Sequence, residues 1–199
     1  MSFFLLPIDR NHFGYYNRGM ENAYIPPEAL RAVRARLNQY DRDIIDLITL
    51  TGFRIDDILF TRVCSWAGDS VSLCERKTGH MRTVPITTEL RQVINRINRR
   101  NKPDGQRKRS PLAYFIPTTR RIRKGCRHKI HRTTIYRHFE AAIKEAGYAG
   151  CGYTIHSLRK VYAHERYKAT GSLLAVQKDL GHKHIETTIL YALGDQIKL

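Results

Sequence analysis

Between Asp41 and Thr51 the chain reads Asp-Arg-Asp-Ile-Ile-Asp-Leu-Ile-Thr-Leu-Thr, and this stretch constrains the fold more tightly than any other. Ile44, Ile45, Leu47, Ile48 and Leu50 nearly surround a helix drawn at this period. A helix that is apolar on almost every side must run through a core, with the other elements wrapped around it. Gly52 is the expected stop, and Arg54 is delivered at the mouth of the next helix, expected over 55–61.

Elements able to wrap such a helix are present on both sides of it. Pro26 and Pro27 open a helix whose apolar face is Leu30, Val33 and Leu37, since proline is tolerated where first-turn N–H groups are unpaired. Short strands are expected near 63–66, 70–75 and 82–86, where Val71 and Leu73 alternate with polar neighbours and Lys77-Thr78-Gly79-His80 supplies a turn. A helix over Thr88–Arg99 turns Leu90, Val93, Ile94 and Ile97 inward, and the polar stretch 100–110 reads as an exposed loop. Beyond the basic run Arg120–Arg132 come a helix over Thr133–Ala146 that Gly147 ends, one containing Leu158, Arg159 and Tyr162, and a short one over 172–180 that Gly181 ends. A last turn of helix carries Tyr191. The fold class is therefore mainly α with a small antiparallel β-sheet (α+β), one domain over 25–199, preceded by an irregular, aromatic N-terminal arm at 1–24.

The charge narrows the partner. Lys and Arg number 35 against 18 Asp and Glu, a formal charge of +17, which calls for a polyanion, most simply nucleic acid. Apolar residues make up 42 %, enough for a packed core and too many for a disordered chain. The apolar stretch Phe3–Ile8 is too short to span a membrane and has no basic region before it, so no membrane association is expected and the location is expected to be cytoplasmic. Cys64, Cys74, Cys126 and Cys151 have no regular pairing and are expected as reduced thiols. Cys126, His128 and His131 cluster without a second pair at zinc spacing, so a basic loop is expected there and no metal.

Six residues scattered over the chain have the types needed to hold a phosphodiester and attack it. They sit in Thr-Gly-Phe-Arg-Ile-Asp-Asp at 51–57, Glu-Arg-Lys-Thr-Gly at 75–79, His-Ser-Leu-Arg at 156–159 and Leu-Gly-His ending at His182, with Tyr191 nine residues on. Two arginines, a lysine and two histidines can neutralise and hydrogen-bond a phosphate, and a tyrosine can bond to it covalently. Singly each has a plain alternative. Arg54 and Asp57 share a helix face and could be a surface pair, Lys77 a solvated turn residue, His182 a helix cap, and Tyr191 a packing residue.

Taken in order and at these separations, the motifs resemble the catalytic domain of the tyrosine recombinase, or phage integrase, family, over roughly residues 24–195. The resemblance implies Arg54 and Arg159 as phosphate clamps, with Asp57 fixing one side of the Arg54 guanidinium. It implies Lys77 as proton donor to the departing 5′ oxygen, with Arg76 the rival basic residue, because a guanidinium with a pKa above about 12 gives up protons poorly. His156 would be a partner or base for the tyrosine hydroxyl, His182 rather than His184 a contact to a non-bridging oxygen, and Tyr191 the nucleophile. Lys160, Val161 and Tyr162 depart from the histidine, threonine and phenylalanine more usual after the second arginine. The arm at 1–24 is too short for the family's N-terminal clamp domain. The implied activity is site-specific cutting and rejoining of double-stranded DNA through a 3′-phosphotyrosine, with no metal and no nucleotide cofactor. Self-assembly on DNA as a tetramer on two sites follows, and an accessory DNA-bending protein fits the same picture. The basic stretches 99–109 and 120–132 would track phosphates. The alternatives are a catalytically inactive DNA-binding relic of the same fold and a topoisomerase-like relaxer.

Overall fold

The computed structural model describes residues 22–102, 109–118 and 128–193. Most of the N-terminal arm, the centres of both basic stretches, Cys126 and the residues after Leu193 lie outside this range. Within it the chain forms helices α1 (Pro27–Arg36), α2 (Gln39–Thr51) and α3 (Ile55–Leu59), then a hairpin of β1 (Ser70–Cys74) and β2 (Met81–Pro85). Helices α4 (Thr88–Arg100), α5 (Arg132–Glu145), α6 (Ser157–Thr170), α7 (Leu173–Leu180) and α8 (Ile185–Ala192) follow. The fold is mainly α with a two-stranded antiparallel sheet, as expected.

Helix α2 is the central one. Ile44, Ile45, Leu47 and Ile48 are buried, and α4 and α6 pack against it. It begins at Gln39, two residues before Asp41, because Asn38 caps it, the side chain accepting from the Asp41 N–H at 2.9 Å. Two of its acidic residues, Asp41 and Asp43, are buried, and Asp46 is partly so. Asp43 is buried against Arg96 Nε at 3.0 Å, Asp46 pairs with Arg34 Nη2 at 2.7 Å, and Asp41 pairs with His138 at 2.8 Å. Helices α1, α4 and α5 are thus each tied to α2 by a polar side chain, Arg34, Arg96 and His138.

The hairpin pairs Val71 with Val84 and Leu73 with Arg82, with one face buried. The strand expected near 63–66 is instead a 3₁₀ turn over Val63–Trp66. Trp66 is driven inward, stacking on Phe115 at 4.8 Å between centroids and donating from Nε1 to Thr61 Oγ1 at 2.9 Å. A strand would point alternate side chains to opposite faces, whereas a tight turn lets this indole reach back five residues to Thr61.

Two cores result. The main one surrounds α2. A smaller one gathers Ala163, Val176, Leu180 and Ala192 from α6, α7 and α8, with Tyr162, Tyr167 and Tyr191 packed against it. Helix α6 belongs to both, with Leu158 in the first and Ala163 in the second, and it is along this seam that the candidate residues meet.

Candidate active site

All six residues singled out by sequence converge. Arg54, Lys77, His156 and Arg159 line one cavity of about 200 Å³, walled by Ile48 and Phe53 of the main core. His156 Nε2 shares a hydrogen bond with the Tyr191 hydroxyl. The His182 ring packs edge-on to Tyr191, centroids 4.8 Å apart, and its Nδ1 is 3.0 Å from Thr188 Oγ1. A larger groove of about 370 Å³ lies along α5 and the 148–155 segment, is mainly apolar, and contains none of the six.

Local structure explains each placement. The αL conformation of Gly52 ends α2 and turns Arg54 toward the cavity. The Gly52 carbonyl then accepts from Arg159 Nη1 and from Arg82 Nη1, the latter at 3.1 Å. Arg159 is 2 % exposed, and its Nη2 also reaches the Leu180 carbonyl at 3.4 Å, so one guanidinium joins the ends of α2 and α7. Arg159 Nε is buried without a hydrogen-bond partner among the described residues. Gly181, also αL, permits a close approach, since a Cβ there would stand 2.9 Å from His80 Cδ2. That approach brings His182 under the hairpin turn carrying Lys77.

Two carboxylates hold the base of this turn, and they correct the expected role of Asp57. The ion-pair partner of Arg54 is Glu75, not Asp57. Asp57 accepts the Arg76 backbone N–H at 3.0 Å, because α3 runs beside the hairpin and presents its carboxylate to the main chain. Burial pushes the Asp57 carboxyl above its ordinary range, the Arg76 N–H opposing it. Arg76, the rival to Lys77, lies over the Phe60 ring at 3.5 Å and does not line the cavity. His184 is exposed and stands at the N-cap position of α8 without a capping side-chain bond.

Sequence reading missed Glu75 and Arg82, both almost fully buried. The signal was there, because Val71, Leu73 and Glu75 continue one period-2 face and Arg82, Val84 and Ile86 continue its partner.

The electrostatics follow from crowding. Burial, then the charges of Arg159 and Arg54, bring His156 and His182 each down to about 4. Burial, then Arg54 and Arg82, lowers Arg159 to about 10. Burial raises the Tyr191 phenol, with Arg159 and Arg54 opposing the rise. The arrangement is a cationic pocket with a neutral imidazole beside a phenol.

Comparison with known proteins gives the same family. The phage integrase family matches residues 27–196. Tyrosine recombinase XerD of Lacticaseibacillus casei is 27 % identical over 157 residues, covering 76 % of this chain and 49 % of that protein. The chain therefore spans about half the length of this relative. Among solved structures, a lambda integrase tetramer bound to a Holliday junction superposes with a TM-score of 0.71 at 18 % identity, covering 89 % of this chain and 50 % of that one. XerA recombinase gives 0.67 at 18 % identity, covering 87 % and 61 %. At such identities the structures speak for the fold, while the match over most of the chain speaks for descent, and the chain belongs to the tyrosine recombinase, or phage integrase, family.

Proposed function

We propose that this chain is a metal-independent, site-specific DNA recombinase of integrase or invertase type that cleaves and rejoins strands through a 3′-phosphotyrosine. The observation that carries the reading is the Tyr191 hydroxyl, hydrogen-bonded to His156 at a cavity lined by Arg54, Arg159 and Lys77. A phosphodiester in that cavity would meet two guanidiniums, and a phosphate oxygen would give Arg159 Nε the partner it lacks among the described residues.

The chemistry then balances without a co-reactant. Tyr191 Oη attacks phosphorus as its proton passes to His156 Nε2, which is neutral at pH 7 because its pKa is held at about 4. The P–O5′ bond breaks, and the departing oxygen takes a proton from the Lys77 ammonium. Arg54, Arg159 and His182 hold the charge of the pentacoordinate state. Rejoining reverses each transfer, with a 5′-hydroxyl from another strand as the attacking group. Asp57 supports this indirectly, by fixing the main chain beside Lys77.

Double-stranded DNA is the proposed partner, supported by the +17 charge and by lambda integrase relatives solved on DNA. A tetramer on two sites, with or without a DNA-bending protein, is the proposed assembly, and the nucleoid in the cytoplasm its place of action. Residues 25–199 would form the catalytic domain and 1–24 an arm. The test is incubation with a nicked suicide DNA followed by denaturing electrophoresis. The parent protein should form a covalent adduct, and Tyr191→Phe should not. An adduct in Tyr191→Phe would point to Tyr162 or Tyr167. No adduct from the parent on any substrate would leave the DNA-binding relic as the reading.

A further inference from the structure

The Glu75 carboxylate lies beneath the cavity with no exposed surface, and its contacts join parts of the site that are far apart in sequence. Its Oε2 pairs with Arg54 Nη1 and accepts from Thr78 Oγ1 at 2.8 Å. Its Oε1 stands 3.6 Å from Arg82 Nη1. The backbone of the same residue closes the turn, its N–H donating to the His80 carbonyl at 2.9 Å and its carbonyl accepting from Gly79 N–H at 2.7 Å. Lys77 sits inside the loop so closed. On the other side, a Cβ on Gly181 would lie 3.7 Å from Oε2, so the turn bearing His182 rests against the same carboxylate.

We propose that Glu75 is a positioning residue that sets the Arg54 guanidinium and the Lys77 turn together, so that the phosphate clamp and the proton donor keep one relative geometry. This rests on the recombinase reading above. An ordinary buried ion pair would only neutralise Arg54 and Arg82, and such pairs contribute little net stability. Here a single oxygen holds a residue of the clamp and a residue of the turn, so disturbing one displaces the other. Burial raises the carboxyl, but hydrogen bonds from Arg54 and Thr78 and the charges of Arg54 and Arg159 outweigh it and leave the group below its ordinary range, ionised at neutral pH.

Two variants separate the links. Thr78→Val, at an exposed position, breaks the bond from the turn to Glu75 together with the bond within the turn from His80 N–H to Thr78 Oγ1, and leaves the Glu75–Arg54 pair in place. Glu75→Gln keeps an acceptor for Thr78 and removes the charge facing Arg54. Both are measured for cleavage of ordinary DNA and of DNA with a 5′-bridging sulfur, which needs no proton on departure, and for amide exchange at Glu75 and Gly79. Thr78→Val should cleave ordinary DNA about tenfold more slowly, recover fully on the sulfur substrate, and exchange faster at both amides. Glu75→Gln should be slower by on the order of a hundredfold with DNA affinity retained, and recover only in part, because Arg54 is also displaced. The proposal is overturned if Thr78→Val is equally slow on both substrates, if neither variant is slowed, or if turn exchange is unchanged in both. A parent protein that forms no adduct would sink the recombinase reading instead, and the exchange data would still decide whether Glu75 holds the turn.

Discussion

At Gly52 one backbone oxygen accepts from two buried guanidiniums, and the residue sits in the αL conformation at φ +63°. A Cβ there would stand 2.4 Å from Tyr162 Cδ1. Gly52→Ala therefore combines a disfavoured backbone with a clash in a packed site, and should cost about 2–4 kcal/mol by urea denaturation. A loss below about 0.5 kcal/mol would mean that the Tyr162 ring simply swings away. Tyr191→Phe removes one oxygen from a half-buried ring and should change stability by no more than about 1 kcal/mol, with DNA affinity retained. His156 and His182 supply a pH signature. Both stand at about 4 in the fold against 6.5 for a free imidazole. Between those values the unfolded chain takes up protons that the fold refuses. Their contribution is thus complete above about pH 6.5 and is lost as the pH falls through about 4. Thermal midpoints should decline across that window, and a His156→Gln, His182→Gln double variant should show a shallower decline. An identical pH slope in that variant would contradict the neutral-imidazole site.

Among the elements, the hairpin decides most about the proposed chemistry. It places Lys77 at the cavity through a turn tied down at Glu75 and Asp57, while leaving the lysine itself exposed. Lys77→Ala should bind DNA nearly as well as the parent, since one phosphate contact among several is lost, and should cleave poorly. A 5′-bridging sulfur should restore its cleavage and should not restore Arg54→Ala, whose defect lies in holding the phosphate. Rescue of Arg54→Ala with no rescue of Lys77→Ala would take the proton-donor role away from Lys77. Helix α8 is the complementary element. It rests on the smaller core through Ala192 and Thr188 and carries Tyr191 to the histidines. Tyr191 is therefore placed by packing against α6 and α7, and α6 in turn packs against α2.

At the scale of the whole molecule, the net charge of +17 and the seam between the two cores of the described residues together describe a basic body with a cationic cavity. Binding to duplex DNA with about six phosphate contacts should give a log–log slope near −5 in monovalent salt, and a flat response would remove the DNA reading. Cleavage should be unaffected by EDTA. Loss on chelation and recovery with magnesium would indicate a different chemistry. The central helix, the order of helices after it, the αL stops at Gly52 and Gly181 and the six candidate residues are all legible in the sequence. Each rests on local signals: an apolar run, a glycine at a helix end, or a short motif. What the chain's local pattern could not decide was partnership. Whether Arg54 meets Asp57 three residues away or Glu75 across the hairpin depends on how α3 and β1 lie together. Likewise Trp66 abandons an extended conformation because Phe115 and Thr61 offer it a buried site. The partners of the α2 aspartates stay hidden for the same reason, since Arg34, Arg96 and His138 come from three other helices. Local sequence sets where elements start, stop and turn their apolar faces. Only the tertiary structure chooses which charges meet, because a buried ion pair is made by residues that packing, not spacing, brings into contact.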